Sequence, residues 1–595
     1  MAKSGKGYFR EAGLSWVQAP EPEPHAVQLL AENFQIPEVV AKILVNRGLV
    51  DLQEVDVFLN PDLSHLSDPY IFRDMSKAVD RIVEALKNQE KIMIYGDYDV
   101  DGITATSLVF LVLNKLGAEV SYYLPNRLTE GYGFSREGIE EAKSRGVRLL
   151  ISVDCGITAR EEVDYAKQLG IDCIITDHHE PADTLPEALA ILNPKAEGSV
   201  SAEGSSNVPV GELAGVGIAF KLSQALHQRL GQDGSELEEH LDLVALGTVA
   251  DIVPLRGENR VVTKFGMNQL ARTSKPGLKA LIFISGLLGR PIGTGQIVFM
   301  LAPRINAVGR LGNAEKAIRL LTTKNEEQAS AIARVLNQEN RRRKSIDAQT
   351  LEQALKQIEE CVDLECDKAI VLAASGWHQG VIGIVASRIV ERYHRPTVLI
   401  AVEGKEGKGS ARSIPGFHLY DALKECEGDL IRYGGHKYAA GLSIAADKIN
   451  DFRERLKRVS EKALSSEDLL PKLQIDVEAD LFQIDEKVVD SLERFAPFGP
   501  QNMRPVFLSR GLEVVGQPYI VGKNHLKFKV RKDGEIFDCI GFGLGDYLRW
   551  MNMSAKGGSG WGRGRAYIDM AYVVERNYWN DTLRLQLRTK DIKIL

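Results

Sequence analysis

Three carboxylates at alternate positions, Asp97, Asp99 and Asp101, close the stretch Lys91 to Gly102, KIMIYGDYDVDG. Carboxylates that close repel one another and titrate as a coupled set, so keeping all three as anions requires a compensating charge, most economically a bound divalent metal. The same residues could instead form an acidic turn, a cluster at a helix N-terminus, or a Ca²⁺ loop. The last fails, because the twelfth position from Asp97 is Leu108 and not the bidentate Glu that closes an EF-hand. Farther on, LLISV runs into Asp154-Cys155-Gly156 and CIIT runs into Asp177-His178-His179-Glu180. LDLVALGTVADIVPL then places Asp251 after a thoroughly apolar run, where a carboxylate needs a partner. Two successive histidines on an extended segment project to opposite sides, so one can bind metal while the other faces substrate. Acids and imidazoles supplied from four places in the chain predict a dinuclear metal centre, and mixed carboxylate and imidazole ligation prefers Mn²⁺ to Mg²⁺.

Strands and helices must bring these groups together. Ile92-Met93-Ile94-Tyr95 has the pattern of a short strand buried on both faces, and Gly102 lets the chain turn into an amphipathic helix opened by Thr104 to Leu108. From Ser76 to about Leu255, strand candidates at Ile92–Gly96, Val120–Leu124, Leu149–Val153, Cys173–Thr176 and Ala190–Leu192 alternate with helical periodicity. That rhythm predicts an α/β fold with a doubly wound, mostly parallel sheet, in which ligands bind outside the carboxyl ends of the strands. The acidic and histidine motifs fall at those ends. Residues 1 to about 75 carry short helical patterns and form an N-terminal cap.

After this domain, PRINAVGRLGN reads as a Gly-punctuated loop before a helix near Ala314, with Arg304, Asn306 and Arg310 placed to fork onto phosphates or to form a buried ion pair. Thr323 to Glu360 reads as one long connecting helix whose Arg341-Arg342-Arg343-Lys344 run is a solvated face. A second α/β lobe from about Asp367 to Leu464 has a Gly-rich turn holding His378 before a helix whose free N–H groups favour an anion. The same lobe carries GKGSARS (Ser410, Arg412) and YGGHKYAAG (Gly434, Gly435, His436), small residues beside Arg and His that suit a phosphate-gripping surface. From Pro471 onward, short strands at Val506–Ser509, Glu513–Pro518, His525–Val530, Phe537–Phe542, Ala566–Val574 and Leu583–Lys590 predict a small β-barrel of OB type. Its loop KGGSGWGRGR combines Trp561, Arg563 and Arg565, stacking and charge that suit single-stranded nucleic acid.

With 595 residues the chain is too long for one core and predicts three or four domains. No signal-peptide h-region or bilayer-length apolar run occurs, which predicts a cytoplasmic protein with no membrane association. Six scattered cysteines without CxxC or zinc spacing predict free thiols. The net charge of −7 argues against a polyanionic partner, yet Arg256 to Ser345 holds 17 Lys and Arg against 5 Asp and Glu. That surplus of 12 leaves −19 on the remainder, so a basic belt runs through an acidic protein, either as a track for phosphates or as the surface of a solvated helix.

GDYDVDG, VDCG, TDHHE and the Asp of TVADIVPL resemble, in order and spacing, the four motifs of the DHH phosphoesterase superfamily. Gly434-Gly435-His436 resembles the motif of its associated DHHA1-type domain. With the terminal barrel, the four-part order resembles the RecJ-type single-strand-specific 5′→3′ DNA exonucleases over nearly the whole chain. The division implied is a cap (1–75), a DHH catalytic domain (76–320), a connecting helix (321–364), a DHHA1-type substrate-binding domain (365–466) and an OB-type nucleic-acid-binding domain (467–595). The resemblance implies two-metal phosphodiester hydrolysis that releases 5′-mononucleotides in DNA repair and recombination, with Mn²⁺ preferred and Mg²⁺ able to substitute. It assigns Asp97, Asp99 and a bridging Asp154 to one ion, and Asp101, His178 and Asp251, also with Asp154, to the other. His179 would touch the scissile phosphate or protonate the leaving oxygen. Arg127, or Arg412 with Ser410, would hold the 5′-phosphate. Single-stranded DNA with a 5′ end is the implied partner, alongside single-strand-binding protein and helicase, with the chain itself a monomer. Tyr95 departs from the family pattern, standing where some members carry His, which leaves a metal role for position 95 in question. Other members of the superfamily act on nanoRNA, bisphosphates or cyclic dinucleotides, and a related replication scaffold has lost its ligands, whereas every motif here is filled.

Overall fold

A computed structural model describes residues 14–126, 130–131, 133–200, 210–311, 313–554, 566–579 and 582–595. The chain forms two compact units: Pro24–Asn340 with Asp490–Arg504, and Arg341–Val489 with Pro505–Leu595 and the N-terminal stretch up to Glu23. Its first strand, β1 (Ser15–Gln18), belongs to the second of these.

The first unit is built on five parallel strands, β2 (Lys91–Gly96), β3 (Val120–Tyr123), β4 (Val147–Val153), β5 (Asp172–Thr176) and β6 (Ala190–Leu192), in the order β3-β2-β4-β5-β6. Alternation along the strands sends Ile92, Ile94, Leu149, Ile151 and Ile174 into one apolar cluster and Met93, Tyr95, Leu150, Cys173 and Ile175 into another, so both faces of the sheet are covered. Helices α1 (Val100–Lys115), α2 (Gly215–Arg229) and α3 (Leu241–Ala250) line the first face. Leu241 through Val249 are all buried, as expected for a helix apolar on every side.

PRINAVGRLGN is not a loop. Arg304, Asn306 and Arg310 stand on helix α4 (Ala302–Leu311), which continues a π-helical turn at Ile297–Leu301. Pro303, which has no N–H to give, follows closely on that π-helical turn inside an unbroken helical run. Gly309 serves close packing rather than a bend, because a Cβ there would strike the backbone oxygen of Tyr98.

A buried polar cluster fastens the cap to this core. Lys221 Nζ lies 2.7 Å from Glu258 Oε2 and donates to the Ser67 carbonyl at 2.7 Å, and Glu258 also takes the Ser67 N–H at 2.9 Å. Burial, opposed by the Glu258 carboxylate, lowers the Lys221 pKa. Lys221→Met, which strands the Glu258 charge in the core, is expected to cost about 3–5 kcal/mol, read as a lowered urea midpoint. Replacing Glu258 with Leu in the same chain should restore much of that loss.

Residues 490–504 join this unit through Arg260, which is 2 % exposed. Its guanidinium donates to the carbonyls of Phe58 (2.9 Å), Phe495 (2.7 Å) and Arg494 (2.8 Å) and lies over the Phe58 ring at 4.1 Å. Burial pushes its pKa down to about 9.

Helix α5 (Glu326–Cys361) is continuous, and of its basic run Arg343 is buried while Arg341, Arg342 and Lys344 are exposed. The second unit then carries a five-stranded sheet of β7 (Ile370–Ser375), β8 (Thr397–Glu403), β9 (Glu406–Arg412), β10 (Arg432–Gly435) and β11 (Ala439–Ala445), ordered β10-β11-β9-β8-β7 with only β7 and β8 parallel. Helix α6 (Gln379–Tyr393) packs on it. Strand β12 (Lys472–Ile475) pairs with β1, and β13 (Val477–Glu478) pairs with the barrel.

The barrel strands are β14 (Phe507–Val521), β15 (His525–Lys532), β16 (Glu535–Gly541), β17 (Tyr567–Trp579) and β18 (Thr582–Ile594). They close in the cycle β14-β15-β16-β18-β17, giving the five-stranded OB barrel. The strands expected at Val506–Ser509 and Glu513–Pro518 are one. Gly511 and Gly516, at φ of 63° and 73°, bend it so that it pairs with β15 on one edge and β17 on the other, with register shifts beside both glycines.

Candidate metal centre

The carboxyl ends of β2, β4 and β5 lie at one rim and deliver Asp97, Asp99 and Asp101, Asp154, and Asp177-His178-His179. The C-terminus of α3 adds Asp251. His178 Nε2 is 3.2 Å from Asp154 Oδ1, 3.5 Å from Asp251 Oδ2 and 4.0 Å from Asp101 Oδ2. Asp97, Asp99 and Asp154 offer ligand atoms within 4.8 Å of one another; so do Asp101, His178 and Asp251, and so do Asp154, His178 and His179. Asp97, Asp101, Asp154 and His178 are buried.

Local conformation sets these positions. Asp99 caps α1, its Oδ1 accepting the N–H groups of Asp101 (2.9 Å) and Gly102 (3.2 Å), so the helix-cap reading of the acidic motif holds for this residue. Asp101 accepts the N–H groups of Gly215 (2.6 Å) and Val216 (2.9 Å) at the start of α2, a placement the helix dipole favours. Asp154, directly after β4, has φ of 63°, in the left-handed region. A Cβ on Gly215 would come within 2.7 Å of Asp154 Oδ1, and one on Gly247 within 2.9 Å of Asp101 Oδ1. Those two glycines hold space around the carboxylates. Neither glycine carries a local signal for this role, because the carboxylates they face lie far off in the chain.

The electrostatics call for a cation. Burial first, then the Asp99 charge, pushes the Asp101 carboxyl up to about 7 against the pull of the Val216 and Gly215 N–H groups. Burial and neighbouring carboxylates, Asp101 foremost, drive Asp154 and Asp251 well above the ordinary range. His178 goes the other way: burial, then the charge of His179, pushes it down to about 3, so it is neutral at physiological pH. Its Nε2 is buried, lacks a hydrogen-bond partner and faces three carboxylates. Neutral imidazole nitrogen and carboxylate oxygens around one point form a donor set that fits a divalent ion.

The metal-free protein should therefore show a defined pH dependence. The Asp101 pKa is raised from 3.8, so its contribution to stability is full below about pH 4 and is lost as pH rises to about 7, with Asp154 and Asp251 acting in the same direction. Unfolding free energy without metal should fall over that interval, and Mn²⁺ should abolish the fall while releasing protons, read from calorimetric heats in buffers of different ionisation enthalpy.

The paired histidines have different surroundings. His179 Nδ1 is 2.7 Å from Asp177 Oδ1, which also takes the His178 and His179 N–H groups, while Asp177 Oδ2 takes that of Ile157 at 2.9 Å. Burial opposes the His179 charge, but the hydrogen bond and charge of Asp177 outweigh it and raise the His179 pKa. Asp177 is thus an orienting group to which the sequence motif alone assigned no role. Tyr95 points into the core and not the cluster, packing on Tyr123 and Phe134, with its hydroxyl 3.1 Å from the Gly133 carbonyl and 3.0 Å from the Ser135 nitrogen.

Of the predicted phosphate contacts in this unit, Asn306 and Arg310 share with Gly309 the α4 face that packs on Tyr98, between Asp97 and Asp99. Arg304 Nε instead donates to Asn337 Oδ1 at 3.1 Å, and its Nη1 to the Met300 carbonyl. In the second unit His378 caps α6, accepting the Gly380 N–H at 3.0 Å. Ser410 and Arg412 project from β9 on one side, 3.2 Å apart, into room left by Gly383. Gly434 and Gly435 end β10, and the His436 N–H donates to the Ala439 carbonyl at 2.9 Å. Arg127, Trp561, Arg563 and Arg565 lie outside the described residues.

A doubly wound sheet that gathers Asp, Asp-His-His and Asp motifs at one rim defines a DHH-family protein. The DHH family N-terminal domain matches residues 91–248, the DHHA1 domain 367–462 and the RecJ OB domain 475–591. The single-stranded-DNA-specific exonuclease RecJ of Bacillus subtilis is 38% identical over 98% of this chain and 71% of its own length; that of Escherichia coli K12 is 34% identical over 93% and 95%. The crystal structure of RecJ from Thermus thermophilus in complex with Mn²⁺ superposes with a TM-score of 0.81 at 29% identity, covering 98% of this chain and 80% of that one. The chain belongs to the RecJ family.

Proposed function

We propose that this protein is a single-stranded-DNA-specific 5′→3′ exonuclease that hydrolyses phosphodiester bonds and releases 5′-mononucleotides. The observation that carries this is the convergence of Asp97, Asp99, Asp101, Asp154, His178 and Asp251 at one sheet rim, in a chain of the RecJ family. Asp97, Asp99 and Asp154 would hold one divalent ion and Asp101, His178 and Asp251, again with Asp154, a second, with Mn²⁺ preferred and Mg²⁺ able to substitute. When bound, such ions lower the pKa of an attacking water and offset charge that develops on the phosphoryl oxygens.

The chain's own side chains do the rest. Asp177 fixes the His179 ring through Nδ1, leaving Nε2 to face the scissile phosphate. As water adds to phosphorus and the bond to the 3′-oxygen breaks, a protonated His179 can hand its proton to that leaving oxygen. Asn306 and Arg310 in the first unit, and His378, Ser410, Arg412 and Gly434 to His436 in the second, are the proposed phosphate contacts, and the OB barrel supplies further single-strand binding. The domain division of the sequence analysis is kept as part of this proposal, with the qualifications that residues 490–504 pack in the catalytic unit and that the stretch up to Glu23, with β1, packs in the other unit and not in the cap. A monomer working in the cytoplasm on repair and recombination intermediates, with single-strand-binding protein and helicase, completes it. Among the described residues no helix is long and apolar enough to cross a membrane.

The test is degradation of a strand labelled at either end, with Mn²⁺, Mg²⁺ or chelator and with a blunt duplex as control. Loss of label as mononucleotide from the 5′ end of the single strand only is expected. Release from the 3′ end, or preference for a dinucleotide over the long strand, would overturn the assignment.

A further inference from the structure

Lys195 has no place in the proposed metal-ligand set, yet the fold fastens it to that rim. Strand β6 runs into Asn193-Pro194-Lys195, and Asn193 is fully buried. The Asn193 amide donates to the His179 carbonyl at 2.9 Å, and its side-chain oxygen accepts the Lys195 N–H at 2.8 Å. One side chain thereby ties the backbone of the Asp-His-His turn to the backbone of Lys195, fixing where the lysine leaves the chain. Its ammonium lies 3.1 Å from the carboxylate of Glu180, the residue after His179.

That carboxylate is a weak partner. Its side chain is 79% exposed against 31% for Lys195, and an ion pair so open to water is readily exchanged for another anion. A polynucleotide threaded past a rim of carboxylates needs fixed positive charge there, and a compact ammonium with three donors suits a non-bridging phosphate oxygen.

We propose that Lys195 is a substrate-binding residue that exchanges Glu180 for a phosphate of the DNA strand next to the scissile one. The proposal rests on the exonuclease reading above. Asn193 is the positioning residue that presents Lys195 beside His179.

The test uses Lys195→Met, Lys195→Arg and Glu180→Gln in the full chain. KM and kcat are measured on 5′-phosphorylated oligothymidylate in saturating Mn²⁺ across a range of salt, and Mn²⁺ binding is measured by calorimetry without DNA. Lys195→Met should raise KM roughly tenfold. It should flatten the log KM against log salt slope by about 0.7, the loss of one single-strand phosphate contact, and leave Mn²⁺ affinity unchanged. Lys195→Arg should recover most of the affinity, and Glu180→Gln should lower KM. Unchanged KM and salt slope in Lys195→Met would overturn the proposal; so would a fall in Mn²⁺ affinity that accounts for the lost activity, since Lys195 would then support the metal site and not the strand. Wild-type protein that degrades no strand would overturn the exonuclease reading as well, whereas active wild type with an indifferent Lys195→Met would overturn this inference alone.

Discussion

Asp154→Asn should leave the protein folded and lower nucleotide release from single-stranded DNA by roughly 10³-fold or more. Asp154 is the carboxylate shared between the first three-residue cluster and the His178 contact, so its loss would weaken both proposed ion sites together. Folding should survive because the residue's φ of 63° is one that Asn adopts readily, and because the change removes one of several buried like charges. In metal-free protein at neutral pH the melting temperature should hold or rise, while Mn²⁺ should no longer raise it. Circular-dichroism melts with and without Mn²⁺, beside a mononucleotide-release assay, separate lost chemistry from lost fold. A variant that retained even about a tenth of wild-type turnover would take Asp154 out of the centre of the mechanism.

The second large effect separates the two histidines. His178→Ala should lose both Mn²⁺ affinity and turnover, because a neutral imidazole among Asp101, Asp154 and Asp251 leaves the donor set. His179→Ala should keep Mn²⁺ affinity and lose roughly 10²–10⁴ in kcat, the size of a proton-transfer contribution. The pH profile gives an independent check. The His179 pKa is raised through Asp177, so its proton is held below that pKa and given up as pH climbs through it; wild-type kcat should decline on that limb and His179→Ala should not. Calorimetry with Mn²⁺ alone, followed by pH-dependent kinetics, reads both. Equal loss of metal affinity in the two variants would contradict the division of roles.

Much of this site was legible because its groups stand at the ends of short apolar runs. LLISV and CIIT declare themselves as buried strands, and a carboxylate directly after such a run has few places to be other than the rim of a parallel sheet. The 3.2 Å approach of His178 to Asp154 is the spatial form of a pattern that was already periodic in one dimension. What escaped was long-range. Arg260 counted toward the basic belt, but its carbonyl partners at Phe58, Phe495 and Arg494 lie some two hundred residues away, and only they explain why it is buried. Lys275, another member of that belt, is 2.8 Å from the buried Asp242. Gly309 looked like a loop glycine because its role, close approach to Tyr98, is set by a partner far off in sequence. Asn193 and Lys195 gave no local signal, since a buried Asn that bridges two backbones looks like any residue of an Asn-Pro turn.

Manganese stoichiometry reaches the central claim most directly. Calorimetric titration of the metal-free chain with Mn²⁺, with turnover followed in parallel, should show two ions bound per chain, and nuclease activity should appear only as the second site fills. A chain that degraded DNA with no ion bound, or that took up two ions equally well after Asp154, His178 and Asp251 had each been replaced, would contradict the account.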